Sequence, residues 1–143
     1  MPPGTGVLIL ASENVEVFNN EIIENKSFGA AIASYFVTEK PIEDKEYNPY
    51  PRAIYFHNNT YKRSKQMPTL KKPIGKLAFI KFGRKVPDIV YDWIINPDYL
   101  DKNGMMMDAF QICLKEDASF ANLDIENGFK NISKDLSAHD CSK

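Results

Sequence analysis

The chain has 143 residues, of which 43% are hydrophobic and 26% are charged, and its formal net charge is −1 at pH 7. These values are typical of a soluble globular protein and argue against global disorder, so the sequence predicts one domain over residues 1–143. The apolar run at residues 7–11 is too short for a signal sequence or a membrane span.

The first elements combine one clear strand with two ambiguous segments. Residues 6–12 form an apolar run bounded by turn residues, which predicts a buried strand. Residues 13–24 place apolar side chains near one helical face, although the run Val-Glu-Val-Phe-Asn-Asn also suits a strand and hairpin. Residues 28–36 stay open between a helix, which the alanines favour, and a strand, which the Tyr-Phe-Val end favours.

A proline-rich connection then leads into a predicted hairpin. Residues 38–51 hold three prolines and four acids, which indicates an exposed segment without regular structure. Strands are predicted at 52–57 and 60–64, joined by Asn58-Asn59, because Asn tolerates the positive φ of a two-residue turn. Strand periodicity places alternate side chains on opposite faces. One face carries Ile54, Phe56 and Tyr61, and the other carries Tyr55, His57 and Lys62.

The middle of the chain is harder to assign. Residues 65–75 predict a basic loop, and residues 76–82 predict a strand. Residues 87–95 suit a helix that begins at Pro87 and has Trp93 on its apolar face, but the β-rich run Ile-Val-Tyr-Asp-Trp-Ile-Ile suits a strand as well. Residues 105–114 stay open between helix and strand, and no internal repeat stands out.

The last element completes the predicted fold. Residues 120–136 repeat apolar side chains at near-helical spacing, which predicts an amphipathic helix. We therefore predict an α+β fold, with a small antiparallel sheet centred on residues 52–82 and the C-terminal helix packed against it. A partly open barrel is an alternative form of this sheet, and residues 137–143 form a polar tail.

Charge is segregated along the chain. Residues 47–87 carry ten basic side chains and no acid, whereas residues 1–46 carry eight acids against three lysines and residues 88–143 eleven against five. A basic segment with interleaved aromatics is typical of a surface that faces a polyanion. Neutralisation by the acidic flanks of the same fold is the competing interpretation.

The basic segment leads to the functional hypothesis. Because lysine predominates over arginine, contact with phosphates is favoured over reading of base edges. We predict a non-catalytic, sequence-tolerant protein for single-stranded DNA or RNA, in which Tyr55 stacks on bases. The predicted phosphate contacts are Lys62, Lys65, Lys71, Lys72, Lys76, Lys81, Arg84 and Lys85. The alternative is a protein-interaction module, such as a viral or phage modulator or assembly subunit, that docks a protein partner or associates with itself.

Catalysis and metal binding lack residues in suitable patterns. The two histidines, His57 and His139, lie beside a turn and in the polar tail, and no zinc, calcium or nucleotide-binding spacing occurs. We expect no catalytic residue, no metal and no cofactor. Cys113 lies in an apolar run and Cys141 in the tail, so a buried free thiol is expected at Cys113. The expected location is therefore the reducing cytoplasm, with association to a virion as an option, and no membrane is involved.

Overall fold

The structure is a computed structural model that describes residues 5–25, 28–38, 40–63, 87–128 and 130–141. In these ranges the regular structure consists of nine short strands and five single turns of 3₁₀ helix. The strands are β1 Val7–Leu10, β2 Glu13–Phe18, β3 Glu21–Asn25, β4 Ala30–Ala33, β5 Arg52–His57, β6 Thr60–Arg63, β7 Ile89–Tyr91, β8 Ile112–Lys115 and β9 Phe120–Asn122. The 3₁₀ turns are Tyr35–Thr38, Pro97–Tyr99, Asp108–Phe110, Ile125–Asn127 and Ser137–His139.

The nine strands form three parallel sheets that coil around one axis. Sheet A has the order β1-β4-β7-β9, sheet B the order β2-β5-β8, and sheet C the order β3-β6. Each strand pairs with a strand from the next passage of the chain instead of its neighbour in sequence. The fold is therefore a parallel β-solenoid. Coil 1 holds β1 to β3, coil 2 holds β4 to β6, coil 3 holds β7 and β8, and coil 4 holds β9.

The interior of the solenoid is filled by columns of apolar side chains from three or four successive coils. Alternate residues of a strand point inward, and parallel pairing sets them directly above one another. The columns are Val7–Ala30–Ile89–Phe120 and Ile9–Ile32–Tyr91 in sheet A, and Val15–Ile54–Ile112 and Val17–Phe56–Leu114 in sheet B. Burial of each large side chain contributes about 1.5 to 3 kcal/mol, which makes these columns the main source of stability.

The corner between sheets B and C is built by asparagines. Asn19 and Asn58 both adopt a left-handed backbone, with φ of 56° and 55°. The next residue, Asn59, has an Oδ1 that accepts hydrogen bonds from the backbone N–H and the Nδ2 of Asn20. Its own backbone N–H and Nδ2 donate to Glu116 in the following coil, so the corner is a ladder of amide and carboxylate groups.

The C-terminal segment closes the end of the solenoid. His139 is only 3% exposed, and its ring packs edge-on against Tyr91 and Phe120 of the interior columns. Its Nδ1 lies 2.8 Å from the carbonyl oxygen of Ile112, at the last strand of sheet B. Two residues later, Cys141 forms a disulfide with Cys113. The tail therefore takes the place that a further strand would occupy.

The prediction of an α+β fold with an antiparallel sheet, or a partly open barrel, is wrong. The described residues contain no α-helix, and all strand pairs in the three sheets are parallel. The predicted C-terminal helix fails because Asp124 and Gly128 adopt left-handed φ of 52° and 65°, which an α-helix cannot contain. The apolar residues of this segment instead pack against two different surfaces. Phe120 points into the interior, whereas Leu123 packs on the outer face of sheet A.

The predicted hairpin is correct in its strands and wrong in its pairing. β5 and β6 lie close to their predicted positions, and the inward side of Ile54 and Phe56 is confirmed. However, Asn58-Asn59 turns the chain from one sheet into the next, and β5 pairs in parallel with β2 and β8. The left-handed φ expected at Asn58 is present, but it forms a solenoid corner instead of a hairpin turn.

The segments that the sequence left open are strands. Residues 13–24 form β2 and β3, and the three other ambiguous segments, 28–36, 87–95 and 105–114, contribute β4, β7 and the start of β8. The predicted strand at residues 76–82 and the predicted loop at 65–75 lie outside the described residues.

The free thiol predicted at Cys113 is also wrong, because Cys113 is bonded to Cys141. The predicted polar tail, residues 137–143, holds the buried residues His139 and Cys141. Sequence spacing alone could not reveal the pair, since 28 residues separate the two cysteines and the coiling of the chain brings them together. A search of the described residues finds no helix long and apolar enough to cross a membrane.

Candidate functional site

Two of the nine predicted nucleic-acid contacts lie in the described part of the chain. Tyr55 projects from the outer face of β5 and stacks on His57, with ring centroids 4.3 Å apart. Lys62 is exposed on β6, which belongs to a different sheet. The other seven, which lie outside the described residues, are Lys65, Lys71, Lys72, Lys76, Lys81, Arg84 and Lys85. Nucleic-acid binding therefore stays a prediction.

Charges of opposite sign meet on the outer face of sheet B. Arg52 forms a salt bridge of 3.0 Å with Glu13, and the Nε2 of His57 lies 2.6 Å from the Oε1 of Glu16. Both contacts join the basic segment to the acidic first coil. Of the ten basic side chains of the segment, Arg52 is thus neutralised by an acid of the same fold, whereas the His57 contact joins opposite charges only when the imidazole is protonated.

A cavity of about 330 Å³ lies at the end of the solenoid that the C-terminal segment covers. It combines one indole with carboxylates, amides and a hydroxyl. Its walls are formed by Trp93, Asn122, Asp124, Asn131, Ser133 and Asp135. This volume is at the lower end of the range of small-molecule sites, about 300 to 1,000 Å³.

The floor of the cavity is the corner that follows sheet A in coils 3 and 4. The register pairs Tyr91 with Asn122, so two residues later Trp93 and Asp124 occupy equivalent positions. Both have left-handed backbones, with φ of 62° and 52°. The same left-handed conformation occurs at other corners of the fold, such as Asn19 and Asn58, and it is rare for a residue as large as Trp.

The rim of the cavity comes from the segment after the last strand. The backbones of Asn122 and Ser133 form an antiparallel bridge, with N···O distances of 2.8 and 3.1 Å. This bridge holds the segment against coil 4 and places Asn131 and Asp135 on either side of Ser133. Because the segment continues to Cys141, the disulfide fixes the far end of the same wall.

Two oxygen atoms in the floor lack hydrogen-bond donors. Asn122 and Asp124 are 4% and 8% exposed, and Asn122 Oδ1 and Asp124 Oδ2 have no partner in the described part of the protein. The other carboxylate oxygen of Asp124 accepts from Asn127. A buried acceptor without a donor costs about 1 to 3 kcal/mol. Each of these oxygens has less than 1 Å² of accessible surface, so a ligand in the cavity reaches them when the two side chains turn toward it.

The carboxylate at the rim is held in its charged form. Asp135 is exposed, and its Oδ1 accepts the backbone N–H of Ser137 at 2.9 Å. This hydrogen bond lowers the pKa of Asp135. Behind the indole, the ring of His139 packs edge-on against Trp93, and burial lowers the pKa of His139 so that the imidazole is neutral. The cavity is thus acidic, with a neutral aromatic support.

The described residues contain no group of three His, Cys, Asp or Glu that could hold a metal ion. Sequence reasoning missed this cavity, because Trp93 was assigned to an apolar helical face and Asp124 and Asp135 fell within or beside the predicted C-terminal helix. Their proximity results from coiling, and periodicity within one segment carries no signal for it.

Comparisons with protein-family models, with curated proteins and with solved structures yield no match.

Proposed function

We propose that the protein is a non-catalytic saccharide-binding module and that the cavity at the end of the solenoid is its binding site. The observation that carries this proposal is the combination of the Trp93 indole with two buried oxygens, Asn122 Oδ1 and Asp124 Oδ2, that lack donors. A ligand that fits this combination has an apolar face and many hydrogen-bond donors.

A sugar ring has both properties. Its C–H groups form a flat apolar surface that packs on an indole, and its hydroxyl groups are donors around the edge of that surface. The cavity supplies complementary acceptors, because two carboxylates and two amides are among its lining groups. Donation from sugar hydroxyls to Asn122 and Asp124 would offset the desolvation of their unpaired oxygens.

The rim carboxylate does not suit the general-acid role in glycoside hydrolysis. Glycoside hydrolysis uses a carboxylic acid whose pKa is raised, so that it can protonate the leaving oxygen. The pKa of Asp135 is lowered by the hydrogen bond from Ser137, which is the opposite shift. Asp135 is therefore suited to accept hydrogen bonds from a ligand.

The disulfide supports a place of action outside the reducing cytoplasm. The Cys113–Cys141 bond fixes the segment that forms the rim, and disulfides persist in oxidising environments such as the cell surface, the periplasm or the virion surface. We therefore replace the cytoplasm of the sequence-based hypothesis with an oxidising compartment. Saccharides are abundant in such locations.

The experiment uses Trp93 as a reporter, because it is the single tryptophan of the chain. The full-length protein is titrated with neutral, amino and acidic monosaccharides and disaccharides, and both its intrinsic fluorescence and the indole N–H resonance of Trp93 are followed. We expect saturable changes with Kd values of about 1 mM or tighter, which correspond to about −4 kcal/mol.

A matched pair of variants tests whether the cavity is the binding site. Trp93→Ala should remove binding measured by calorimetry, whereas Tyr55→Ala, an aromatic substitution on the outer face of sheet B, should leave it unchanged. If no saccharide of the panel perturbs Trp93 at millimolar concentration, the proposed function is wrong.

A further inference from the structure

We infer that the saccharide bound by this cavity carries an ammonium group, so that the ligand is an amino sugar. The inference rests on the proposed function and adds the charge of the ligand to it. It follows from the placement of one indole and two carboxylates around a single cavity, because neither carboxylate forms an ion pair with a described residue.

Two carboxylates border the cavity at different depths. Asp124 lies in the floor and Asp135 at the rim. Among the described residues, the salt bridges join Arg52 to Glu13 and His57 to Glu16, and none reaches these two side chains. A buried carboxylate without a positive partner is unfavourable, and a cationic ligand would supply that partner.

The indole of Trp93 forms part of the cavity wall. Its ring is held by edge-on contacts with Tyr91 and His139, at centroid distances of 5.9 and 5.7 Å. These contacts fix the orientation of Trp93 in the wall. Tryptophan has the most favourable face for a cation, and an ammonium group gains more from it when water is excluded.

The same charges select against other sugars. A uronic or sulfated sugar would bring a third negative charge next to Asp124 and Asp135, which is repulsive. A neutral sugar can donate its hydroxyls but leaves the two negative charges unpaired. An N-acetylated sugar has lost the positive charge and is larger. The expected order of affinity is therefore amino sugar, then neutral and N-acetylated sugars, then uronic acids.

The test compares glucosamine, glucose, N-acetylglucosamine and glucuronate on the full-length protein by calorimetry and Trp93 fluorescence. The measurements are made at about pH 6.5, where α-amino-type groups are protonated. Glucosamine should bind about tenfold more tightly than glucose, and its advantage should shrink as salt is raised. Equal affinity for glucosamine and glucose overturns this inference while the saccharide-binding function stands.

Variants separate charge from shape. Asp124→Asn keeps the size of the side chain and removes its charge, so it should lower the affinity for glucosamine by about tenfold more than it lowers the affinity for glucose. Asp117→Asn, an exposed substitution of the same kind outside the cavity, is the control and should have no effect. If Asp124→Asn does not fold, the exposed Asp135→Asn removes the other negative charge of the cavity. An unchanged preference for glucosamine in that variant overturns the inference.

Two further ligands distinguish other sources of the same chemistry. Spermidine presents ammonium groups without a sugar ring, and binding as tight as that of glucosamine would overturn the assignment of an amino sugar. Calcium tests whether the oxygens serve a metal instead. A Trp93 signal that responds to calcium and disappears with a chelator would also overturn it.

Discussion

The first and third coils of the solenoid have the same type of inward column but differ in how that column is covered. In coil 1, Val15 and Val17 point inward and are only partly buried, and in the described part of the protein no strand pairs with the outer edge of β2. In coil 3, the equivalent residues Ile112 and Leu114 are buried, and the edge of β8 is covered by the segment that holds His139. The inward residues of β2 and β8 are therefore similar in type, and the cover formed by the C-terminal segment accounts for their difference in burial. Solenoids need such caps because each coil contacts only its neighbours.

The largest effect should come from the middle coil, which is covered on both sides. Phe56 is fully buried between Val17 and Leu114, so Phe56→Ala should lower the free energy of unfolding by about 3 to 5 kcal/mol. Tyr55→Ala, on the outer face of the same strand, should change it by no more than about 1 kcal/mol. Urea denaturation of both variants measures the difference. Similar losses in the two variants would mean that the assignment of inner and outer faces is wrong.

The next effect concerns the cover itself. The disulfide joins two cysteines that are 28 residues apart in sequence. A cross-link that closes a loop of this length stabilises the folded protein by about 3 to 4 kcal/mol relative to the reduced chain. Thermal melts with and without reductant should show this loss in the wild type, and a Cys113→Ser, Cys141→Ser double variant should not respond to reductant. Saccharide binding should fall together with stability, because the rim of the cavity belongs to the same segment. Unchanged binding after reduction would show that the wall is held without the disulfide.

The hydrogen bonds of the corner asparagines should contribute less to the free energy of unfolding than the disulfide does. Asn59 of coil 2 connects coils 1 and 3, because its Oδ1 accepts from Asn20, its Nδ2 donates to Val17 O at 2.9 Å and its backbone N–H donates to Glu116 at 3.1 Å. Asn59→Ala should cost about 1 to 3 kcal/mol, since it leaves polar partners without hydrogen bonds. Asn58→Gly is the control, because glycine also adopts the left-handed φ of 55° at that position and should be tolerated. Melting temperatures that fall equally in both variants would contradict the ladder.

The ladder also shows what the sequence could have revealed. Val15-x-Val17-x-Asn-Asn-x-Ile22 and Ile54-x-Phe56-x-Asn-Asn-x-Tyr61 have the same pattern and stack in register. A search for repeats with a period of 39 residues would have found this pair, and repeats are the signature of solenoids. Other coils hide the period, since Val7 and Ala30 lie only 23 residues apart whereas Ile54 and Ile112 lie 58 apart. Insertions of different lengths between the strands cause this variation.

Strand alternation could be predicted for β1, β5 and β6, because each is a short apolar or alternating run between turn residues. The partners of these strands could not be predicted, since parallel pairing across a solenoid depends on long-range stacking and leaves no local turn signal. The cavity was beyond sequence reasoning for the same reason. Trp93 and Asp124 are 31 residues apart and become neighbours because coils 3 and 4 are in register.

A smaller effect should depend on pH and should arise at the covered end. The buried Nε2 of His139 has no partner in the described structure, and burial lowers the pKa of His139 below its usual value near 6.5. The unfolded chain therefore takes up a proton below about pH 6.5 that the folded state resists, so stability is complete above that pH and falls as pH decreases. Asp92 acts in the opposite direction, because burial raises its pKa. Urea midpoints between about pH 8 and pH 5.5 measure the slope, and His139→Gln should remove the part that decreases with acid.

The smallest effect should come from the open side of coil 1. Val17 belongs to the same column as Leu114, but it is partly buried and lies at an edge without a described neighbour. Val17→Ala should therefore cost about 1 kcal/mol or less, whereas Leu114→Ala in coil 3 should cost about 2 to 5 kcal/mol. Native-state hydrogen exchange gives an independent measure, because amides of β2 should exchange through local opening and amides of β5 through global unfolding. If both variants lose the same stability and β2 is as protected as β5, then coil 1 is covered as well as coil 3, and the contrast between the two coils does not hold.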